Sequence, residues 1–262
     1  MRRPLAVCLA VCVALGCDAE GQRAPHAMPA PGVRAASAPA QEDSAYRVAP
    51  VADGGRIAGR VLVRGRVRRD SMIATVPDTG WCRASRRVTL VEGSGDRVAG
   101  AVVWLENVHA GKPLPVVRRY DLSTRHCEAR PMTQAAIAGG MLDVQSLDPL
   151  GHRTRFTRAG STIDIVDESD AGQVVPTAAV LAHPGLVAVR CDVHPGTRAW
   201  IRVFDHPYFT VTSRDGGFTI DSVPPGTYTL AVWQPSLGER DTTIRVAPRQ
   251  AVAAAIAFPA AP

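Results

Sequence analysis

The chain has 262 residues, a formal net charge of +6 and a sequence pI near 9.3. Nearly all of its cations are arginine, with Lys112 the one lysine, and they are scattered along the sequence. No nucleic-acid-binding motif accompanies them, so this charge does not indicate a nucleic-acid partner. Once a low-complexity N-terminal region is set aside, roughly 200 residues remain, which is enough for a sizeable core.

The N-terminus, residues 1–17, has the features of a signal peptide. Two arginines precede an apolar stretch that is too short to span a bilayer, and Cys17 ends it. The segment resembles a bacterial lipoprotein signal, in which this cysteine becomes the lipidated first residue of the mature protein. Ala14 departs from that pattern, which prefers leucine. One alternative is lipidation at Cys17, which would anchor the protein to a membrane, and the other is plain cleavage of the signal peptide. Both predict export to the periplasm or cell envelope.

Residues 18–54 are rich in alanine and proline and show no apolar periodicity. This composition is typical of a flexible, disordered segment. Directly after a lipidation site, such a segment would be a tether that holds a folded domain away from the membrane. A disordered tail without a function is the alternative.

From residue 55 the sequence changes to short segments in which apolar and polar residues alternate, separated by glycine, proline and aspartate turns. A period of two is typical of half-buried strands, and many short strands predict an all-β sandwich. The best helix candidate, residues 131–138, is brief. The strand candidates are residues 57–63, 88–91, 101–105, 141–144, 161–166, 174–181, 186–191, 199–204, 209–212, 217–220, 227–233 and 241–246.

Three cysteines lie in the part of the sequence that is expected to fold: Cys82, Cys127 and Cys191. Export predicts that two of them pair, because disulfides persist in an oxidising compartment, but counting alone does not choose the pair. Cys82 and Cys127 lie in loop-like surroundings, whereas Cys191 ends a strand and precedes a histidine. We therefore expect a Cys82–Cys127 disulfide and a thiol at Cys191.

Residues 187–195 combine an alternating strand with the motif Cys-x-x-His-Pro, formed by Cys191 and His194. A thiolate and an imidazole on one tight loop suit copper, or less often zinc. A third ligand should come from an earlier strand, and His152 fits because it follows a strand and an Asp-Pro turn. Each residue alone also has an ordinary interpretation, as a buried structural cysteine, a turn histidine or a surface-loop histidine.

Residues 146–152 and 191–197 resemble the paired motifs Asn-x-Asp-x-x-x-His and Cys-x-x-His-Pro-x-Met of cupredoxin-like periplasmic proteins, of the plastocyanin and azurin type. The resemblance covers most of residues 56–235. It implies a Greek-key β-sandwich that binds copper for electron transfer with a redox partner protein, or for copper handling. The ligands that it implies are His152, Cys191 and His194.

Two departures from this family fall at the copper site. Thr197 occupies the place of the weakly bound axial methionine, and Ser146 replaces the asparagine. A trigonal set of one thiolate and two imidazoles can hold copper without the thioether, and a harder ligand at Thr197 would lower the reduction potential. Arginines at 153, 155, 190 and 198 also bring positive charge, which opposes a bound cation. The alternative that Thr197 and these arginines favour is a structural or ligand-binding envelope protein with a degenerate copper site.

Residues 204–262 contain a second pattern, an Asp-Gly hairpin at 212–220 followed by a Pro-Pro-Gly turn into a strand at 223–230. The order resembles carboxypeptidase regulatory-like modules, which are small transthyretin-like β-sandwiches. The resemblance implies a non-catalytic module that contacts carbohydrate or protein. Residues 55–61 resemble the first strand of such a module, so the cupredoxin-like part could lie between its strands.

The sequence therefore predicts an all-β protein in which a cupredoxin-like Greek-key β-sandwich, residues 55–203, precedes a transthyretin-like β-sandwich, residues 204–262. We find no Gly-x-Ser-x-Gly, His-Glu-x-x-His or haem-attachment motif, and expect no enzymatic activity. The expected cofactor is copper.

The cysteine assignment makes a direct prediction. Mature domain without Cys17, unfolded but not reduced, should contain one free thiol, because Cys82 and Cys127 are joined and Cys191 is not. A thiol-specific reagent measures this number, and three free thiols would contradict the pairing.

Overall fold

The computed structural model describes residues 45–74, 81–82 and 85–259, which belong to one compact unit. The predicted signal peptide with Cys17, and the predicted tether as far as residue 44, lie outside these residues. Within the described part of the chain, no helix is long and apolar enough to cross a membrane.

Almost all regular structure in the described residues is β-strand, with one 3-10 turn at Ala179–Leu181. The predicted all-β class is confirmed. The strands are β1 (Arg47–Val48), β2 (Gly55–Val63), β3 (Asp70–Ala74), β4 (Ser85–Thr89), β5 (Val102–Glu106), β6 (Ala110–Gly111), β7 (Arg119–Arg125), β8 (Glu128–Arg130), β9 (Thr133–Ile137), β10 (Met141–Ser146), β11 (His152–Arg158), β12 (Ser161–Glu168), β13 (Val174–Thr177), β14 (Gly185–Cys191), β15 (Arg198–Phe204), β16 (Phe209–Val211), β17 (Gly217–Val223), β18 (Gly226–Gln234), β19 (Gly238–Val246) and β20 (Ala251–Phe258).

Strands β7 to β15 form a β-sandwich that we call the central sandwich. One sheet has the order β13-β10-β7-β8 and the other has the order β12-β11-β14-β15-β9. The pairs β7–β10 and β9–β15 are parallel, because the chain crosses between the sheets instead of turning back in hairpins. The inward-facing side chains form one buried core, in which each large side chain contributes about 1.5–3 kcal/mol. Its largest members are Leu122, Leu142, Phe156, Leu181 and Ile201.

The strands before and after the central sandwich pair with each other in a second sandwich, which we call the flanking sandwich. Its sheets have the orders β17-β2-β20 and β16-β5-β18-β19. Strand β2 lies parallel to β20 and antiparallel to β17, and β5 lies between β16 and β18. Buried side chains from both sheets, including Ile57, Leu105, Leu230 and Phe258, form its core.

This pairing divides the chain differently from the predicted boundary between residues 203 and 204. Strands β2 and β5 precede the central sandwich in sequence, yet they complete the sheets of the C-terminal strands. The central sandwich is thus an insertion between strands of the flanking sandwich. The sequence left this topology open, because strand patterns do not reveal which strands pair.

The brief helix candidate at residues 131–138 is wrong, because Thr133–Ile137 is strand β9. Its backbone pairs with β15 in register from Thr133↔Trp200 to Ile137↔Phe204. The amide of Ile137 also donates to the hydroxyl of Tyr120 at 2.9 Å. Tertiary pairing of this kind overrides a weak local helix preference.

The predicted tether ends earlier than residue 54. Residues 47–48 pair in parallel with β6, and the amide of Arg47 donates to the carbonyl of His109 at 2.9 Å. Just before them, Tyr46 donates its hydroxyl to the carbonyl of Lys112 at 2.5 Å, and its ring lies edge-on to Tyr208. These contacts order a segment whose composition alone favours disorder.

Gly59 is required by the close approach of its neighbours. A β-carbon there would overlap the carbonyl oxygen of Ala254 and lie 2.9 Å from the ring of Phe218. We expect Gly59→Ala to lower the free energy of unfolding by about 1–3 kcal/mol, as overpacking does. In Gly151→Ala the new carbon would meet its nearest neighbour, the Glu168 carbonyl, at 3.8 Å, so this control should stay within about 0.5 kcal/mol. Urea denaturation measures both, and equal stabilities would contradict the close approach.

Candidate metal centre

Three predicted ligands meet on the inner face of one sheet of the central sandwich. His152 is the first residue of β11, Cys191 is the last residue of β14, and His194 lies in the turn between β14 and β15. Cys191 pairs with Thr154, two residues after His152. Because side chains alternate along a strand, His152, Thr154 and Cys191 share a face. All three predicted ligands are at most 3 % exposed.

The turn that carries Cys191 and His194 is fixed by its own hydrogen bonds. The amide of Cys191 donates to the carbonyl of Thr197 at 3.2 Å, and the amide of Thr197 donates to the carbonyl of His194 at 2.8 Å. The amide of His194 points at the sulfur of Cys191 at 3.4 Å. An N–H directed at sulfur stabilises the thiolate form, so the turn is suited to a metal-ligating cysteine.

The three ligand atoms form a small triangle. The sulfur of Cys191 lies 3.6 Å from Nδ1 of His152 and 3.6 Å from Nδ1 of His194, and the two nitrogen atoms are 3.3 Å apart. A point equidistant from the three atoms is about 2.0 Å from each, close to the lengths of about 2.0–2.3 Å for metal–nitrogen and metal–sulfur bonds. The residues therefore fit a metal ion in a trigonal site.

Burial has a clear electrostatic effect on this cluster. It raises the pKa of the Cys191 thiol, and backbone N–H groups near the sulfur, including that of His194, offset part of the rise. Without a metal, the protonated thiol is thus favoured at neutral pH. A metal ion would displace that proton, which couples metal binding to proton release.

Asp148 contacts His152 at Nε2, the ring nitrogen that is not directed at Cys191. Its Oδ2 lies 3.1 Å from Nε2 of His152 and accepts the amide of Cys127 at 2.8 Å, while its Oδ1 accepts the Trp81 indole N–H at 2.9 Å and the amide of His126 at 2.5 Å. Burial by itself would raise the pKa of Asp148, but the hydrogen bonds from Cys127, Trp81 and His126 bring it below its ordinary value. The buried carboxylate therefore stays ionised and orients the imidazole so that Nδ1 faces Cys191.

Sequence reasoning treated Asp148 only as a turn residue before proline. The signal was present, since the motif around residues 146–152 places an aspartate four residues before the histidine. Its hydrogen bonds to residues 81, 126 and 127 could not be read from the sequence.

Glu168 was also missed. It pairs with His152 across β11 and β12 and is fully buried, and the side chain of Thr154 offsets part of the effect of burial on its pKa. Burial is the main reason that its pKa is raised. Burial therefore shifts this carboxyl group towards its neutral form.

The structure joins Cys82 to Cys127 in a disulfide with a Cα–Cα distance of 5.8 Å, a usual span for such a bond. Cys191 is a buried thiol. The predicted pairing is confirmed.

Thr197, predicted at the axial position, is buried and donates its hydroxyl to the carbonyl of Cys127 at 2.6 Å. This hydrogen bond connects the ligand turn to the disulfide loop. The hydroxyl is thus used in a structural contact, and the role of Thr197 as a ligand stays a prediction.

Comparison with known proteins gives matches to parts of the chain. Residues 172–254 match the family described as polysaccharide lyase family 4, domain II, and no curated protein matches the chain significantly. The predicted carboxypeptidase regulatory-like module stays a prediction.

Similar solved structures include a Cu-containing nitrite reductase from Thermus scotoductus SA-01, with 17 % identity and a TM-score of 0.29 over 38 % of this chain and 24 % of that one. A purple cupredoxin from Nitrosopumilus maritimus has 14 % identity and a TM-score of 0.28 over 32 % of this chain and 99 % of that one. A reduced amicyanin variant has 11 % identity and a TM-score of 0.29 over 33 % of this chain and 82 % of that one. The chain thus spans about a quarter of the nitrite reductase. With TM-scores below 0.5, these likenesses do not by themselves assign a function.

The role of Asp148 gives a testable prediction. In Asp148→Asn the amide cannot accept all the hydrogen bonds that the carboxylate accepts, so we expect the metal-free protein to lose about 2 kcal/mol of stability. Asp167→Asn is the matched control, because Asp167 is exposed and its carboxylate forms a surface ion pair with Arg153. It should cost less than about 1 kcal/mol. Urea denaturation measures both losses, and equal losses would contradict the buried role of Asp148.

Proposed function

We propose that the central sandwich is cupredoxin-like and that His152, Cys191 and His194 hold one copper ion for electron transfer or copper handling. The observation that carries this proposal is the buried triangle of one sulfur and two Nδ1 atoms with sides of 3.3–3.6 Å. One soft and two borderline ligands in a plane are typical of copper electron-transfer sites. Bound copper would supply a one-electron couple.

In this function the protein holds the ligands in fixed positions and shields them from water. Cys191 and His152 are fixed at the ends of paired strands, and the turn hydrogen bonds fix His194. Asp148 prevents rotation of the His152 ring. Ligands that already have the binding geometry before the metal binds favour electron transfer, because few atoms have to move when the oxidation state of the metal changes.

A redox partner would approach next to His194. Val193 is 45 % exposed although it is apolar, and it directly precedes the buried ligand in the turn. The expected signal peptide and the lipid at Cys17 would place this surface in the periplasm or cell envelope. These assignments rest on the sequence alone.

A second candidate function is a non-catalytic module that contacts carbohydrate or protein, with a degenerate copper site. The observation that favours it is the match of residues 172–254 to a polysaccharide lyase domain. This stretch includes most of the C-terminal strands of the flanking sandwich. It also includes Cys191 and His194, so the match does not separate the two candidates.

Titration of the purified protein with Cu(II) tests the copper proposal. We expect an intense thiolate-to-copper absorption band at one equivalent, which Cys191→Ser abolishes. His194→Ala should abolish or strongly shift the band. His183→Ala is the matched control, because His183 also precedes proline but is exposed, and the band should be unchanged.

A protein that stays colourless and shows no measurable affinity for Cu(I) or Cu(II) would contradict the copper proposal. It would leave the carbohydrate- or protein-contacting module as the better candidate. Binding of a panel of polysaccharides in an affinity gel would then test that module directly.

A further inference from the structure

The disulfide lies directly beside the candidate metal centre. One ligand atom each of Cys82, Cys127 and His194 lie within 4.8 Å of one another. All three residues are at most 2 % exposed. A second set, Cys127, Asp148 and His152, meets the same distance limit, so the disulfide sulfur atoms belong to the same cluster of potential ligands.

Several contacts other than the S–S bond hold the two cysteines in place. The amide of Cys127 donates to Asp148, and its carbonyl accepts the hydroxyl of Thr197. Next to Cys82, Trp81 donates its indole N–H to Asp148 and stacks on the ring of His126 at 5.2 Å. Cys127 is thus held by its own backbone contacts and Cys82 through its neighbour Trp81, so the two sulfur atoms should stay near each other when the bond between them is broken.

We propose that reduction of the Cys82–Cys127 disulfide creates a second metal site, in which the two thiolates and the imidazole of His194 hold one Cu(I) ion. Two thiolates and one imidazole form a soft, three-coordinate set that favours Cu(I). Both imidazole nitrogens can ligate once the ring has lost its N–H proton, so one imidazolate ring of His194 can bridge the two ions. The number of copper ions per chain then depends on the redox state of the disulfide.

The chemistry balances with a dithiol or phosphine reductant. A dithiol supplies two electrons and two protons and becomes a disulfide itself, whereas a phosphine supplies two electrons and takes the oxygen atom of a water molecule, whose two protons go to the sulfur atoms. In both cases the S–S bond is replaced by two S–H groups. Binding of Cu(I) at the second site then releases those two protons to solvent, because the thiolate is the ligand form of cysteine, and it also releases the ring N–H proton of His194 when the first site is filled. This inference goes beyond the proposed function, since the second site exists only in the reduced protein and does not use Cys191.

The test compares copper stoichiometry in the oxidised and reduced forms of the mature protein. Oxidised protein, and protein treated with a phosphine and then freed of it without air, are titrated with Cu(I) against a coloured Cu(I) chelator. We expect one ion per chain before reduction and two after it. Far-UV circular dichroism checks that both forms keep their strand content.

Two variants identify the ligands. Cys191→Ser should bind no ion when oxidised and one when reduced, because it removes only the first site. The double variant Cys82→Ser with Cys127→Ser lacks the cross-link, as the reduced protein does, but offers no additional thiols. Its stoichiometry should stay at one with or without the reductant.

The outcomes separate this inference from the copper proposal. An oxidised protein that binds no copper, combined with a reduced protein that binds one ion, would overturn the proposed function and support the second site. An unchanged stoichiometry on reduction, or a gain that persists in the double variant, would overturn the second site. Loss of strand content on reduction would overturn it as well, because the contacts of Asp148 and Thr197 would then not hold the cysteines.

Discussion

The hydrogen bonds to the buried carboxylate of Asp148 are the interactions on which the candidate metal centre depends. This carboxylate brings together the indole of Trp81, the amides of His126 and Cys127, and the imidazole of His152. A buried charge is costly unless hydrogen bonds compensate it, and here several do. One residue therefore positions both His152, a candidate metal ligand, and the disulfide loop, so a change at Asp148 would affect both.

The insertion of the central sandwich explains how distant segments reach this carboxylate. Strand β15 begins beside the metal centre and ends, after seven residues or about 20 Å, at Phe204. There Phe204 packs against Trp104 in the flanking sandwich. The segment between β2 and β5 contains Trp81 and Cys82, which contact Asp148 and Cys127 beside the candidate metal centre. The disulfide thus fastens a segment of one sandwich to the site of the other.

Features that depend on neighbouring residues were predicted well. A period of two in apolar residues indicates strands, and the all-β class followed from it. Predictions that depend on distant contacts fit the structure less well. Residues 131–138 are a strand because β15 pairs with them, and residues 45–54 are ordered because Tyr46 packs on Tyr208. The sequence left open whether the first strand belongs with the C-terminal strands, and the structure pairs β2 with β20.

The sequence by itself indicated the turn that carries Cys191 and His194, because proline after His194 favours a turn and a turn brings residues three apart together. It also indicated the Cys82–Cys127 pair from its loop surroundings. Only the tertiary structure decided that His152, 39 residues away from Cys191, meets this turn, because the register of β11 against β14 sets which side chains share a face. Asp148, Glu168 and the closeness of the disulfide to His194 followed in the same way, from contacts that no local pattern encodes.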